Sequence, residues 1–147
     1  MKLRRITPFL WFSGNAVLAA RFYCRVFKNS KLVSKNAMGC TFQLDGQVFH
    51  ALNGGTMFQF NPSISFFVDC KDQTEVDYYW SRLIKGGKPS RCGWLTDQFG
   101  LSWQIVPRAL LKTINGKNKL GARRAMEAMM HMVKLDAAAL EAAYRGE

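Results

Sequence analysis

Two stretches of the chain, AARFYCRVF at residues 19–27 and VDYYWSRLI at residues 76–84, carry the same apolar stripe 57 residues apart. Ala19, Phe22, Tyr23, Val26 and Phe27 in the first, and Val76, Tyr79, Trp80, Leu83 and Ile84 in the second, fall at i, i+3, i+4, i+7 and i+8. This spacing puts five apolar side chains on one face of a helix, so each stretch predicts a helix buried along one side. The equal offset points to an internal repeat.

The flanks repeat as well. Strand-like apolar runs precede the helices, Thr7 to Phe12 in the first copy and Ile64 to Val68 in the second, with Phe9 lying 57 residues before Phe66. Asn15 and Asp72 occupy matching places ahead of the helices, where either side chain can accept hydrogen bonds from first-turn amides. After each helix come alternating segments, Thr41–Leu44 and Gln47–Leu52 in one copy, Trp94–Leu95 and Leu101–Val106 in the other. Gly46 and Gly100 open the last strand of each copy after a turn. The unit reads as βαβββ used twice, an α+β fold in a single domain over 1–147. Module one covers about 5–55, module two about 62–107, and a helical extension about 108–147. In that extension Asp136 predicts a cap for a helix from Ala137 to Tyr144, and Met126, Met129, Met130 and Val133 fall at helical spacing as packing residues.

A chain of 147 residues with 48% hydrophobic content can bury a sizeable core, which argues against disorder. The apolar run Ile6–Phe12 is too short to span a bilayer. Lys2, Arg4 and Arg5 precede it, but no small-residue cleavage site follows, so a cytoplasmic protein is expected. Cys24, Cys40, Cys70 and Cys92 show no CxxC spacing and predict reduced thiols. Cys92 has only Arg91 beside it in sequence to lower its pKa, which favours a structural thiol over a nucleophile. His131, among the methionines, reads as structural or solvent-facing. Of the net charge of +11, Arg108, Lys112, Lys117, Lys119, Arg123 and Arg124 form a stretch without acids. It lacks the interleaved aromatics of a single-strand binder, so it reads as a solvated basic face rather than a nucleic-acid site.

The strings ITPFLWFSGNA (6–16), LDGQVFHALNGG (44–55), DQTEVDYYW (72–80), CGWLTDQFGLSWQIVP (92–107) and AMEAMMHMVKLD (125–136) resemble the PhnB-like branch of the vicinal oxygen chelate superfamily, which includes glyoxalase I and bleomycin-resistance proteins. The resemblance covers nearly the whole chain. It implies paired βαβββ modules whose curved sheets enclose a cavity, usually within a homodimer; the methionine-bearing helix or the strand edges are the expected interface. Members of this branch often carry the label 3-demethylubiquinone methyltransferase. The chain shows no glycine-rich strand-to-helix turn suited to S-adenosylmethionine, and Gly54-Gly55 and Gly86-Gly87 read as structural pairs.

In metal-dependent relatives the ligands come from the first and last strands of each module. Those positions fall here at Pro8, at Ser63 or Ser65, at His50 and at Gln104, a set too poor in donors for a divalent ion. No metal and no cofactor are expected. Alternation along the last strands puts Val48 and Leu52 on the face of His50, and Ser102 and Val106 on that of Gln104, with Phe49, Trp103 and Ile105 turned toward the helices. Extended through the repeat, the same reasoning places Leu10, Phe12 and Phe67 in the cavity. His50, Gln104, Leu10, Phe12, Phe67, Ser65 and Leu52 are therefore the candidate ligand-binding residues, with Asn53 and Asp97 as turn or rim groups. The expected function is binding of a small apolar or aromatic molecule without a metal. The alternative is an enzyme of unknown reaction, including 3-demethylubiquinone 3-methylation.

Overall fold

In the computed structural model, which describes residues 4–147, each repeat closes into its own four-stranded mixed sheet; Lys2 lies outside the described residues. The first unit, which runs to Phe60, contains β1 (Phe9–Phe12), α1 (Ala16–Val26), β2 (Lys31–Asn36), β3 (Gly39–Leu44) and β4 (Gln47–Asn53), in the strand order β1-β4-β3-β2. The second, from Asn61 to Glu147, contains β5 (Ser65–Cys70), α2 (Gln73–Leu83), β6 (Lys88–Pro89), β7 (Trp94–Thr96) and β8 (Ser102–Pro107), in the order β5-β8-β7-β6. In each, the first strand runs parallel to the last and the remaining pairs are antiparallel. The two expected βαβββ modules are both present.

Both helices start and stop 57 residues apart, but the strands keep a different count. Phe9 pairs with His50 in the first sheet and Phe67 pairs with Gln104 in the second, so the first strands correspond at an offset of 58 and the last at 54. The cause is one residue in the strand-to-helix turn. Ser13, Gly14 and Asn15 separate β1 from α1, whereas only Lys71 and Asp72 separate β5 from α2. Because side chains alternate along a strand, that single residue reverses the face assigned to β1.

The helix caps differ too. Asp72 accepts a hydrogen bond from the Glu75 amide at 3.0 Å, as expected of an N-cap. The Asn15 side chain makes no such bond; the first amide of α1, that of Ala16, donates instead to Asn53 Oδ1 on β4 at 2.9 Å. Each helix buries its stripe against its own sheet. Tyr23 of α1 stacks on Phe42 (6.2 Å), which stacks on Phe49 (5.2 Å), all three buried. Each such ring contributes about 1.5–3 kcal/mol by leaving water.

The extension comprises α3 (Arg108–Ile114), α4 (Lys119–Met130) and α5 (Ala137–Arg145), the last capped by Asp136 as expected. Leu110, Leu135 and Leu140 bury Val106 at the end of β8, with Met129 and Met132 packed alongside. Val133, expected on the methionine helix, lies beyond its end, where its carbonyl accepts from the Gly93 amide at 2.8 Å. The Gln73 side chain ties α2 to this segment, donating to the Leu135 carbonyl and accepting from the Ala137 amide. No helix of the described residues is long and apolar enough to cross a membrane.

Candidate functional site

His50 sits in the middle of β4, between Phe9 of β1 and Thr41 of β3. Cross-strand partners share a face, so these three side chains project together from the side of the sheet opposite α1. The Thr41 hydroxyl lies 2.9 Å from His50 Nδ1 and holds the ring, while the Phe9 ring lies 6.0 Å away, centroid to centroid. Nε2 has no hydrogen-bond partner among the described residues. Phe9 is 63% exposed despite its size. Around this trio opens a shallow concavity of about 270 Å³, completed by Leu52, Met38 and the Lys35 segment of the edge strand β2.

The equivalent face of the second sheet carries Ser65, Phe67, Trp94, Ser102 and Gln104. Gln104 Nε2 donates to Ser65 Oγ at 2.9 Å, and Phe67 stands beside it, half exposed. The Ser102 hydroxyl is buried with no partner, an arrangement that costs on the order of 1–3 kcal/mol when nothing satisfies it.

Five of the seven candidate residues thus lie on the expected faces: His50 and Leu52 in the first unit, Ser65, Phe67 and Gln104 in the second. Leu10 and Phe12 do not. Leu10 pairs with Ala51 and Phe12 with Asn53, so both lie on the α1 face and are buried in the core. The 57-residue offset that points both into the cavity holds for the helices and fails for β1. Pro8 is likewise off the His50 face; it is the carbonyl of Pro8 that accepts from the His50 amide, at 3.0 Å. The offset concealed Phe9, whose place beside His50 was readable only from strand pairing.

The residues present do not fit a divalent metal. The His50 face offers one imidazole, a threonine and a phenylalanine, the Gln104 face an amide and serines, and no group of three or more His, Cys, Asp or Glu among the described residues could hold an ion. The four cysteines are free thiols. Burial pushes the Cys70 thiol up to about 12, helped by Glu75 and Asp69, and burial also raises Cys24 and Cys40, so none of these three is a ready nucleophile. Cys92 occupies a left-handed turn position (φ 59°), and its amide donates to the Met132 carbonyl; no hydrogen bond joins it to either histidine. Asp97 is a turn staple. Its carboxylate, 3% exposed, accepts from the Phe99 and Leu101 amides and from Trp103 Nε1 at 2.8 Å.

The model of the 3-demethylubiquinone-9 3-methyltransferase family matches residues 4–106, which takes in both modules and stops short of the extension. A Bacillus cereus protein bearing that family's name and described as PhnB is 30% identical over 71% of this chain and 99% of its own, with a TM-score of 0.64. Two more distant structures share the fold. One is PA1353 from Pseudomonas aeruginosa (16% identity, 69% of this chain and 95% of its own, TM-score 0.54). The other is the fosfomycin resistance protein FosX from Listeria monocytogenes, complexed with Mn(II) and sulfate (12%, 69% and 88%, TM-score 0.52). No protein of curated function matches the chain. The paired modules, their register and these matches together place the chain in the 3-demethylubiquinone-9 3-methyltransferase family, the PhnB-like branch of the vicinal oxygen chelate superfamily, to which it belongs.

Proposed function

We propose that the His50 face of module one binds a small apolar or aromatic molecule, without a metal, and that the imidazole fixes its orientation. The observation that carries this reading is a ring held at one nitrogen and open at the other, beside an exposed phenyl group in a concavity. Small-molecule sites are mostly apolar with a few placed polar groups. When the Thr41 hydroxyl donates to Nδ1, Nε2 carries the proton and donates to a ligand carbonyl or phenolate; in the other tautomer it accepts from a hydroxyl. Phe9 and Leu52 supply the apolar contact.

Calorimetric titration with a panel of quinones, phenols and polycyclic aromatics tests it. A binder is expected whose affinity falls about tenfold or more in His50→Ala, roughly one lost hydrogen bond with its burial, while thermal stability is retained. Affinity that His50→Ala leaves unchanged would overturn the reading.

Methyl transfer, the activity in the family's description, is the second reading. It needs a methyl donor, normally held where backbone glycines approach a cofactor at a strand-to-helix turn. One glycine of each pair here is committed to packing. A Cβ on Gly54 would collide with the Trp11 indole, whose Nε1 donates to the Gly55 carbonyl, and a Cβ on Gly87 would collide with the Thr96 carbonyl. Low-micromolar binding of S-adenosylmethionine would revive this alternative.

A further inference from the structure

The charge of the chain is unevenly placed. Residues 1–60 hold eight Lys and Arg against one acid, Asp45, a net of +7, whereas residues 61–107 hold five of each and are neutral. The extension, residues 108–147, adds eight cations against four acids, and in the second unit part of this charge is paired: Arg108 with Asp69, Lys134 with Asp77, Lys71 with Glu75 and Arg145 with Glu147. Arg124 donates to the Ala143 and Tyr144 carbonyls at the end of α5. In the first unit, no cation among the described residues makes an ion pair.

These cations are also gathered. Arg21 and Arg25 are exposed one turn apart on α1, opposite the buried Ala16, Ala20 and Tyr23, and the exposed Lys28 and Lys31 follow the helix. The Gly46 amide donates to the Asn29 carbonyl and the Asp45 amide to Ser30 Oγ, which sets this turn beside the β3–β4 hairpin. The parallel pairing of β1 with β4 brings the start of β1 to the same end of the sheet, and Arg4 and Arg5 precede that strand in the chain.

We propose that this face, centred on Arg21, Arg25 and Lys28, docks on the phosphate backbone of a nucleic-acid duplex. The chemistry of the face selects the partner. A single strand is held largely by stacking on exposed aromatics, and the rings next to these cations, Phe22 and Phe27, are both half-buried, Phe22 packed edge-on against Tyr23. A membrane-surface helix inserts an apolar face, and that of α1 is spent on its own sheet, leaving Leu18 as its one large exposed apolar side chain. What remains is charge, which reads phosphates without reading sequence.

Fluorescence anisotropy with a labelled mixed-sequence duplex of about 20 base pairs tests this; the expected dissociation constant is on the order of 10⁻⁴ to 10⁻⁶ M, with a log–log salt slope of about −3 for three phosphates neutralised. Arg21→Glu/Arg25→Glu/Lys28→Glu is expected to weaken binding more than tenfold. Lys117→Glu/Lys119→Glu/Arg123→Glu, which has the same net charge, should change it less than threefold. Arg21→Gln/Arg25→Gln gives an intermediate loss and a milder test if the reversal disturbs folding, which thermal melting reports. No binding at about 50 mM salt, equal losses in the two charge-matched triple variants, or capture by phosphatidylserine vesicles but not by duplex would each overturn the proposal.

Discussion

Helix α1 takes its cap from Asn53, 37 residues along the chain and across the sheet, whereas α2 is capped by Asp72 immediately before it. The hairpins diverge in the same way. Module one turns through Asp45 and Gly46, both with positive φ (46° and 82°), a two-residue turn whose twist suits the flanking strands. Module two needs three residues, Gln98 to Gly100, with Gly100 at φ 90° and the Asp97 carboxylate gathering the loop amides. Both modules keep the same strand order, so topology has been retained while the local chemistry that supports it has been exchanged. Asn53 corresponds to Pro107 in the second sheet, which has no side-chain acceptor, and a module with proline there needs a local cap.

The two modules are expected to differ most at the hairpins. Asp97→Ala strands three donors, two of them buried, and is expected to cost about 3 kcal/mol, while Asp45→Asn, which suits the same two-residue turn, should stay within about 0.5 kcal/mol. Urea denaturation measures both, and equal effects would remove the distinction. Next in size, Gly54→Ala forces a methyl group against the Trp11 indole and should cost about 1–3 kcal/mol by overpacking, read as a lowered melting temperature with Trp11 fluorescence changed. The caps come third. Asn53→Ala and Asp72→Ala are each expected to lose about 1 kcal/mol and Asn15→Ala close to nothing, so a loss at Asn15 would restore the symmetric arrangement.

The smallest expected effect concerns Asp77. Its hydrogen bond to Lys134, seconded by Gln73, holds its carboxyl below the usual range. A depressed folded-state pKa stabilises the fold above the ordinary carboxylate range, and the contribution is lost as pH falls through the folded value. Because both partners are substantially exposed, the contribution is at most about 1 kcal/mol. Asp77→Asn should lower stability at neutral pH by at most about 1 kcal/mol, leave stability near pH 2 unchanged and so flatten the pH–stability curve between about pH 5 and 2.

Much of this fold was legible in the chain because periodicity reports burial. The stripes at Ala19–Phe27 and Val76–Ile84 mark both helices, and alternation along Gln47–Leu52 puts His50 on the face where it lies. Asp72 and Asp136 cap as their positions suggest, because a cap is local chemistry. Leu10 and Phe12 were misplaced because strand pairing is not local: one residue in a turn shifts β1 against the repeat, and only Phe9↔His50 reveals it. The role of Thr41 is not legible in the sequence for the same reason, since its contact with His50 depends on the register of β3 against β4. The cap from Asn53 joins elements that no short motif connects.

That distant cap has a kinetic consequence. The first turn of α1 lacks its side-chain acceptor until β4 has docked beside β1, and this pairing must first close a loop of some forty residues, about the slowest class of contact in so small a unit. Helix α2 carries its acceptor from the start. Asn53→Ala should therefore speed unfolding while leaving the refolding rate almost unchanged, and Asp72→Ala should slow refolding. Two helices equal in length and born of one repeat would then form at different times, the second module supplying early structure and the first completing its own only as its sheet closes.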